Sequence, residues 1–156
     1  MADRHSSEIR RKNMAAVKGK NTKPELIVRR GLHAQGFRYS LHRKDLPGKP
    51  DLTLPKYKAV IFVNGCFWHG HSCRAFSWPK TRQAFWRDKI SRTIQRDSEN
   101  TKLLVKQGWR VATIWECALK GPNKPGIEKL VQSLSEWLRS EDHILNVGIS
   151  DKTVLS

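Results

Sequence analysis

Acidic residues are in short supply in this sequence. Its 156 residues carry 14 Asp and Glu against 30 Lys and Arg, a formal net charge of +16. That shortage leaves most basic side chains without an acidic partner in the chain and favours a polyanion outside it, because each phosphate neutralised releases condensed counterions. Six Trp accompany the charge. Rings that stack on bases favour nucleic acid over a merely solvated basic surface or an acidic lipid. Long apolar runs are lacking too. Nothing approaches the ~20 consecutive apolar residues that cross a bilayer, and no apolar stretch at the N-terminus resembles a secretory signal. A soluble, cytoplasmic protein with no membrane partner is expected. Cysteine is sparse and odd in number, at Cys66, Cys73 and Cys117, which argues against a disulfide framework and leaves metal ligation or buried thiols.

The length suits one domain with a real core and is too short for two ordinary ones. Residues 1–21 read as a basic arm with Arg4, Arg10, Arg11, Lys12, Lys18 and Lys20 and few large apolar residues. Residues 22–140 form the folded domain, and 141–156 read as a C-terminal tail. The stretch TKPELIVRRGLHAQG predicts a helix: Thr22 and Glu25 make a capping box, Pro24 suits the first turn, and Gly36 the end. Ile27, Val28, Gly31, Leu32 and Ala34 would form its buried side. Strands are expected at residues 37–41, 51–54 and 59–63, the last continuously apolar as in a strand buried on both faces. Thr81 would cap a long helix ending at Gly108. Its apolar side would carry Trp86, Ile90, Ile94, Leu104 and Val105, and its basic side Arg82, Arg87, Lys89, Arg92 and Arg96. WRVATIW gives another strand, and a last helix over 127–139 turns Leu130, Leu134 and Trp137 inward. The order predicts an α/β domain around a mixed central sheet flanked by helices.

One segment is chemically dense. VNGCFWHGHSC, residues 63–73, holds two cysteines, two histidines and an adjacent Phe-Trp pair. Strand ends lying side by side could bring Cys117 to Cys66, His71 and Cys73, giving three thiolates and one imidazole suited to tetrahedral zinc. His69 makes a fifth candidate for four positions, and spacing leaves open whether the spare is His69 or His71. Asp51 follows the turn LPGKP at the start of a strand. A carboxylate there, beside a metal-rich loop, is placed to hold Mg2+ against a scissile phosphate. Glu25, on the preceding helix, is already explained by capping. Yet a helix carboxylate, then PD, then an apolar strand is the order of a restriction-endonuclease-like core. Such cores continue with an acid and a Lys on the next strand, and AVIFVNG has neither.

KPDLTLPKYKAVIFVNGCFWHGHSC, FWRDKI and GWRVATIWECAL together resemble the very-short-patch repair (Vsr) endonucleases, over nearly the whole chain from about residue 13 to 137. The resemblance implies a restriction-endonuclease-like fold with a structural zinc site, in which a histidine replaces the usual acid and Lys. It implies Mg2+-dependent nicking of duplex DNA on the 5′ side of thymine in T:G mismatches, which arise by deamination of 5-methylcytosine. Functional coupling to a cytosine-5 DNA methyltransferase and a repair polymerase follows, with the enzyme expected as a monomer. Carried over, Asp51 and the carbonyl of Val63 ligate Mg2+, and His69 is the base that activates water. Zinc then takes Cys66, His71, Cys73 and Cys117. Phe67, Trp68 and Trp86 match aromatics that wedge into the base stack, Met14 and the arm match a segment that clasps the duplex, and Glu25 and Asp97 match supporting polar residues. Asn64 departs from the family, where a second histidine occurs; a neutral amide hydrogen-bonds but supplies no proton. Val63 stands where Thr is usual, a small change if the carbonyl alone binds metal. A zinc-stabilised DNA-binding module without catalysis is the competing reading.

Overall fold

The computed structural model describes residues 22–66, 69–71, 77–119 and 127–148. The basic arm with Met14, and Phe67, Trp68 and Cys73, lie outside the described residues. Helix α1 (Lys23–Ala34) opens as its cap predicts, the Glu25 N–H donating to Thr22 Oγ1 at 3.4 Å with Pro24 in the first turn. Half of the capping box is not made, however. The Glu25 carboxylate turns inward, where its side chain is 1% exposed. Strands β1 (Ser40–Leu41), β2 (Leu52–Leu54) and β3 (Ala59–Asn64) follow, the last two joined by a 3-10 turn at Pro55–Tyr57. Helix α2 (Gln83–Lys106) leads to β4 (Arg110–Trp115), a 3-10 turn at Glu116–Ala118, helix α3 (Ile127–Leu138) and β5 (Ile144–Val147).

The five strands lie in the order β1-β2-β3-β4-β5. The hairpin-linked β1, β2 and β3 pair antiparallel, whereas β3–β4 and β4–β5 are parallel. Parallel neighbours need a long crossover, and α2 and α3 supply the two. Side chains alternate across a strand, so each strand feeds two cores. Ala59, Ile61, Ala112 and Ile114 pack with Val28 and Leu32 of α1 and Leu130, Leu134 and Trp137 of α3. Val60 and Val111 point the other way, to Leu104 of α2 and Leu46. The unbroken apolar run in β3 is thus the signature of a strand covered on both faces.

Several boundaries differ from the sequence reading. The first strand shrinks to Ser40–Leu41 because Phe37 dips into the core, 3% exposed, instead of pairing. Thr81 does not cap α2; Arg82 occupies that position without a side-chain cap bond. Ala34, Ile94 and Val105, placed on buried sides, are exposed. Part of the expected tail is strand β5, whose residues Ile144 to Val147 pair with Val111 to Ile114. Its alternation is polar at Asn146 and too short to announce a strand.

Arg110 at the start of β4 ties these layers together. Its guanidinium donates to the carbonyls of Tyr57, Trp137, Leu138 and Asp142 and lies 4.8 Å from the Trp137 ring centroid. It therefore caps the carbonyl end of α3, where a cation is favoured, and pins the chain entering β5. Burial lowers its pKa, with Asp142 acting the other way, yet a guanidinium stays charged at any physiological pH. Arg110→Met should lower unfolding free energy by about 2–3 kcal/mol, since it strands several carbonyls that now receive charge-assisted bonds. Urea denaturation checks this; an unchanged midpoint would show that the network is ornamental.

Candidate active site and metal-ligand cluster

Side chains gather in two places at the C-terminal end of β3: on the α1 face of the sheet, and in the loop that leaves the strand. The first is built by the β1–β2 hairpin. Pairing of Leu41 with Leu52 brings the next residue, His42, beside Asp51, and the His42 N–H donates to the Asp51 carbonyl at 3.0 Å. Asp51 Oδ2 accepts the Val63 N–H at 2.7 Å, tying the carboxylate to β3. From α1, Glu25 Oε2 lies 2.7 Å from His42 Nε2 and 3.2 Å from Arg29 Nη1. Donor atoms of Glu25, His42 and Asp51 all fall within 4.8 Å of one another. Burial raises the Asp51 pKa to about 6, the Val63 N–H opposes the rise, the Glu25 charge adds to it, and His42 subtracts. Two carboxylates crowded away from water favour a cation between them.

The second group is built by the loop after β3. The His69 N–H donates to Gly65 O at 3.2 Å and the His71 N–H to Cys66 O at 2.9 Å, so the two imidazoles leave one tight turn. Between them Gly70 has φ +62, and a Cβ there would meet Ile94 Cδ1 at 2.6 Å. The loop thus lies directly on α2. Parallel pairing of Asn64 with Trp115 sets the residues that follow side by side. Cys66 and Cys117 are buried, and the Cys117 N–H donates to Cys66 Sγ at 3.4 Å. His71 Nδ1 is 3.5 Å from Cys117 Sγ. Cys66, His71 and Cys117 therefore form a group able to hold a metal ion. Burial lowers the pKa of His71, which favours the neutral imidazole that ligates metals.

His69 takes a different course. Its Nδ1 is 2.6 Å from Asp97 Oδ2 on α2, a distance expected of a charge-assisted bond. With Nδ1 engaged by the carboxylate, Nε2 is left with the lone pair. Trp115 orders both rings: it stacks flat on His71, centroids 4.1 Å apart at 6°, and meets His69 edge-on at 6.3 Å. Gly148 lies behind, where a Cβ would reach His71 Cε1 at 2.9 Å. In front of His69 opens a cleft of about 350 Å³ lined by Asn64, Asp97, Thr101, Thr113, Trp115 and Asn146, among others.

The sequence-derived candidates thus separate cleanly. Glu25, Asp51 and Val63 meet on the α1 side; Asn64, His69 and Asp97 meet on the α2 side; Cys66, His71 and Cys117 meet at the strand ends. Trp86 sits half-buried in the first turn of α2, edge-to-face with Phe85 at 5.2 Å. Met14, Phe67, Trp68 and Cys73 fall outside the described residues. Sequence reasoning missed His42, Trp115, Thr113 and Asn146. Hairpin register is the signal that finds His42, since a strand that pairs with 52–54 puts it opposite Asp51. The other three emerge from parallel pairing, which leaves no local mark.

The Asp51 shift has a thermodynamic consequence. A carboxyl with pKa near 6 when folded and 3.8 when unfolded binds more protons folded between those values. Its contribution therefore turns against the fold as pH rises from about 4 through 6. In buffer free of divalent cations, Asp51→Asn should stabilise the protein at pH 7.5 by roughly 1–3 kcal/mol, the gap closing near pH 4. Thermal unfolding across pH measures it, and a destabilised variant would refute the raised pKa.

Comparison with known proteins gives this arrangement its kin. The family model described as DNA mismatch endonuclease Vsr matches residues 2–75. The chain is 50% identical over 119 residues to the type II nicking enzyme V.XorIIP of Xanthomonas oryzae pv. oryzae, covering 76% of this chain and 88% of that one. It is 41% identical over 141 residues to the DNA mismatch endonuclease Vsr of Escherichia coli, covering 90% of each. A third relative, the type II nicking enzyme V.NmeAIP of Neisseria meningitidis, is 45% identical over 120 residues, 77% of this chain and 86% of its own. With relatives this similar over almost their whole length, and with the loop and strand ends assembled as described, the chain belongs to the Vsr family of DNA mismatch endonucleases.

Proposed function

We propose that this protein is a mismatch endonuclease that nicks the thymine strand of T:G-mismatched duplex DNA, 5′ of the thymine, to begin very-short-patch repair. The observation that carries this reading is the 2.6 Å contact between His69 Nδ1 and Asp97, in a chain whose relatives are nicking enzymes. Asp97 holds the imidazole in the tautomer whose Nε2 accepts a proton, and stabilises the imidazolium that results. His69 is then the base that deprotonates the attacking water. Asn64, on the floor of the same cleft, is placed to hydrogen-bond the phosphate.

The donor sets sort by softness. Cys66, His71 and Cys117 offer sulfur and nitrogen, which suits zinc, and Cys73 would be the fourth ligand that the resemblance implies. Four protein ligands close such a site, so its part is structural. Asp51, with Glu25 beside it and its Oδ2 on the Val63 N–H, offers hard oxygens that suit Mg2+, and the Val63 carbonyl would be a further ligand. A divalent cation held by Asp51 and Glu25 would supply charge neutralisation for the scissile phosphate. Phe67, Trp68 and Trp86, with Met14 and the basic arm on the opposite groove, enter the base stack beside the weakly stacked T:G pair, where opening costs least. Thymine of this origin comes from deaminated 5-methylcytosine. The enzyme therefore acts in the cytoplasm between a cytosine-5 DNA methyltransferase, which sets up the lesion, and a repair polymerase, which refills the strand, and it acts as a monomer.

End-labelled duplexes test the reading. With Mg2+ present, the T strand of a T:G duplex should be cut 5′ of thymine, while the T:A control stays whole. His69→Ala should slow nicking at least ~100-fold and keep its zinc; His71→Ala should lose zinc. Cutting of both strands in fully paired DNA, or an uncut T:G duplex that is nonetheless bound, would contradict the proposal.

A further inference from the structure

His42 has no part in the reaction so far, although the chain holds it in place at some cost. Its backbone adopts φ 50, a left-handed conformation that a residue with a Cβ visits rarely. The strain aims an imidazole, 15% exposed, at a carboxylate that is 1% exposed. Main-chain pairing fixes the same residue from the other side, through its N–H to the Asp51 carbonyl. From these constraints we infer that His42 is a third protein ligand, joining Glu25 and Asp51 in one mixed nitrogen–oxygen site for a divalent cation. This rests on the proposed cation site at Asp51 and deepens it.

Geometry makes the site plausible in size. Cis ligands on an octahedral ion with bonds of ~2.1 Å stand about 3 Å apart. His42 Nε2 and Glu25 Oε2 are separated by 2.7 Å, and the Asp51 donor lies within the same 4.8 Å group. A proton bridges this pair of lone pairs in the metal-free protein, and a cation competes for the same position. Arg29, at 3.2 Å from Glu25 Oε2, holds that carboxylate in place. Asp51 remains anchored through Val63 N–H. A nitrogen donor among carboxylates moves preference along the divalent series, away from Mg2+ and toward Mn2+ or Co2+.

Mn2+ provides a direct readout, because electron-spin-echo spectroscopy of bound Mn2+ detects a directly ligated nitrogen. The experiment uses the full chain with zinc already loaded and one equivalent of Mn2+ added. Nitrogen coupling is expected in the wild type and in His69→Gln, and should vanish in His42→Gln, whose amide reaches the same place with oxygen. Mn2+ affinity should fall about tenfold or more in His42→Gln, and the ratio of Mn2+-supported to Mg2+-supported nicking should fall with it. A purely oxygen-ligated Mn2+ in the wild type overturns the inference, leaving His42 as a hydrogen-bond partner of Glu25 while the cation site stands. Coupling lost in His69→Gln but kept in His42→Gln overturns it as well. No Mn2+ binding that Asp51→Asn removes would overturn the underlying cation site too.

Discussion

Parallel pairing of β3 with β4 is the constraint on which the site depends. It sets Asn64 against Trp115, so the chain leaving each strand carries a cysteine to the same place. Cys66 and Cys117 are 51 residues apart in sequence and in contact in space. Because the two strands run the same way, a long helix must connect them, and that helix, α2, returns over the face where His69 emerges. The ligand cluster and the Asp97 that receives His69 are therefore products of one topological choice. Sites at the carboxyl ends of parallel strands follow this logic generally.

A second consequence is segregation. Val63 and Asn64 are neighbours in the chain and point to opposite faces. On the Val63 side, hard donors from α1 and the β1–β2 hairpin collect around Asp51. On the Asn64 side lies a cleft lined by the imidazoles of His69 and His71, with Asp97 the one carboxylate in its described lining. Soft sulfur donors occupy a third position at the strand ends. The Asp51 group and the His69 cleft thus lie on opposite faces of one strand.

Much of this was legible in the sequence, for identifiable reasons. Helix α1 announced itself through Thr22 and Pro24, and β3 through an apolar run that only a doubly covered strand tolerates. The resemblance carried by CFWHGHSC separated His69 from His71, and in the structure His71 lies against Cys117 while His69 lies against Asp97. Glu25 was explained by capping, yet its side chain answers to His42 and Arg29. Local rules describe what a residue does for its own helix and are silent about a partner 17 residues away. Strand β5 and Trp115 were invisible for the same cause: parallel pairing and ring stacking are long-range, and a strand of four residues with one polar member has no pattern to display.

We propose that a metal held by Cys66, His71 and Cys117 would fasten the loop that carries His69 to Asp97. Imidazole NMR of the zinc-loaded and the chelated protein measures this most directly. The account predicts that the His69 Nδ1–H signal of the Asp97 bond is present with zinc and lost without it, while amides of β3 and β4 stay protected from exchange. An unchanged His69 signal after zinc is removed would contradict it, and would show that the loop is held by its packing on Ile90 and Ile94.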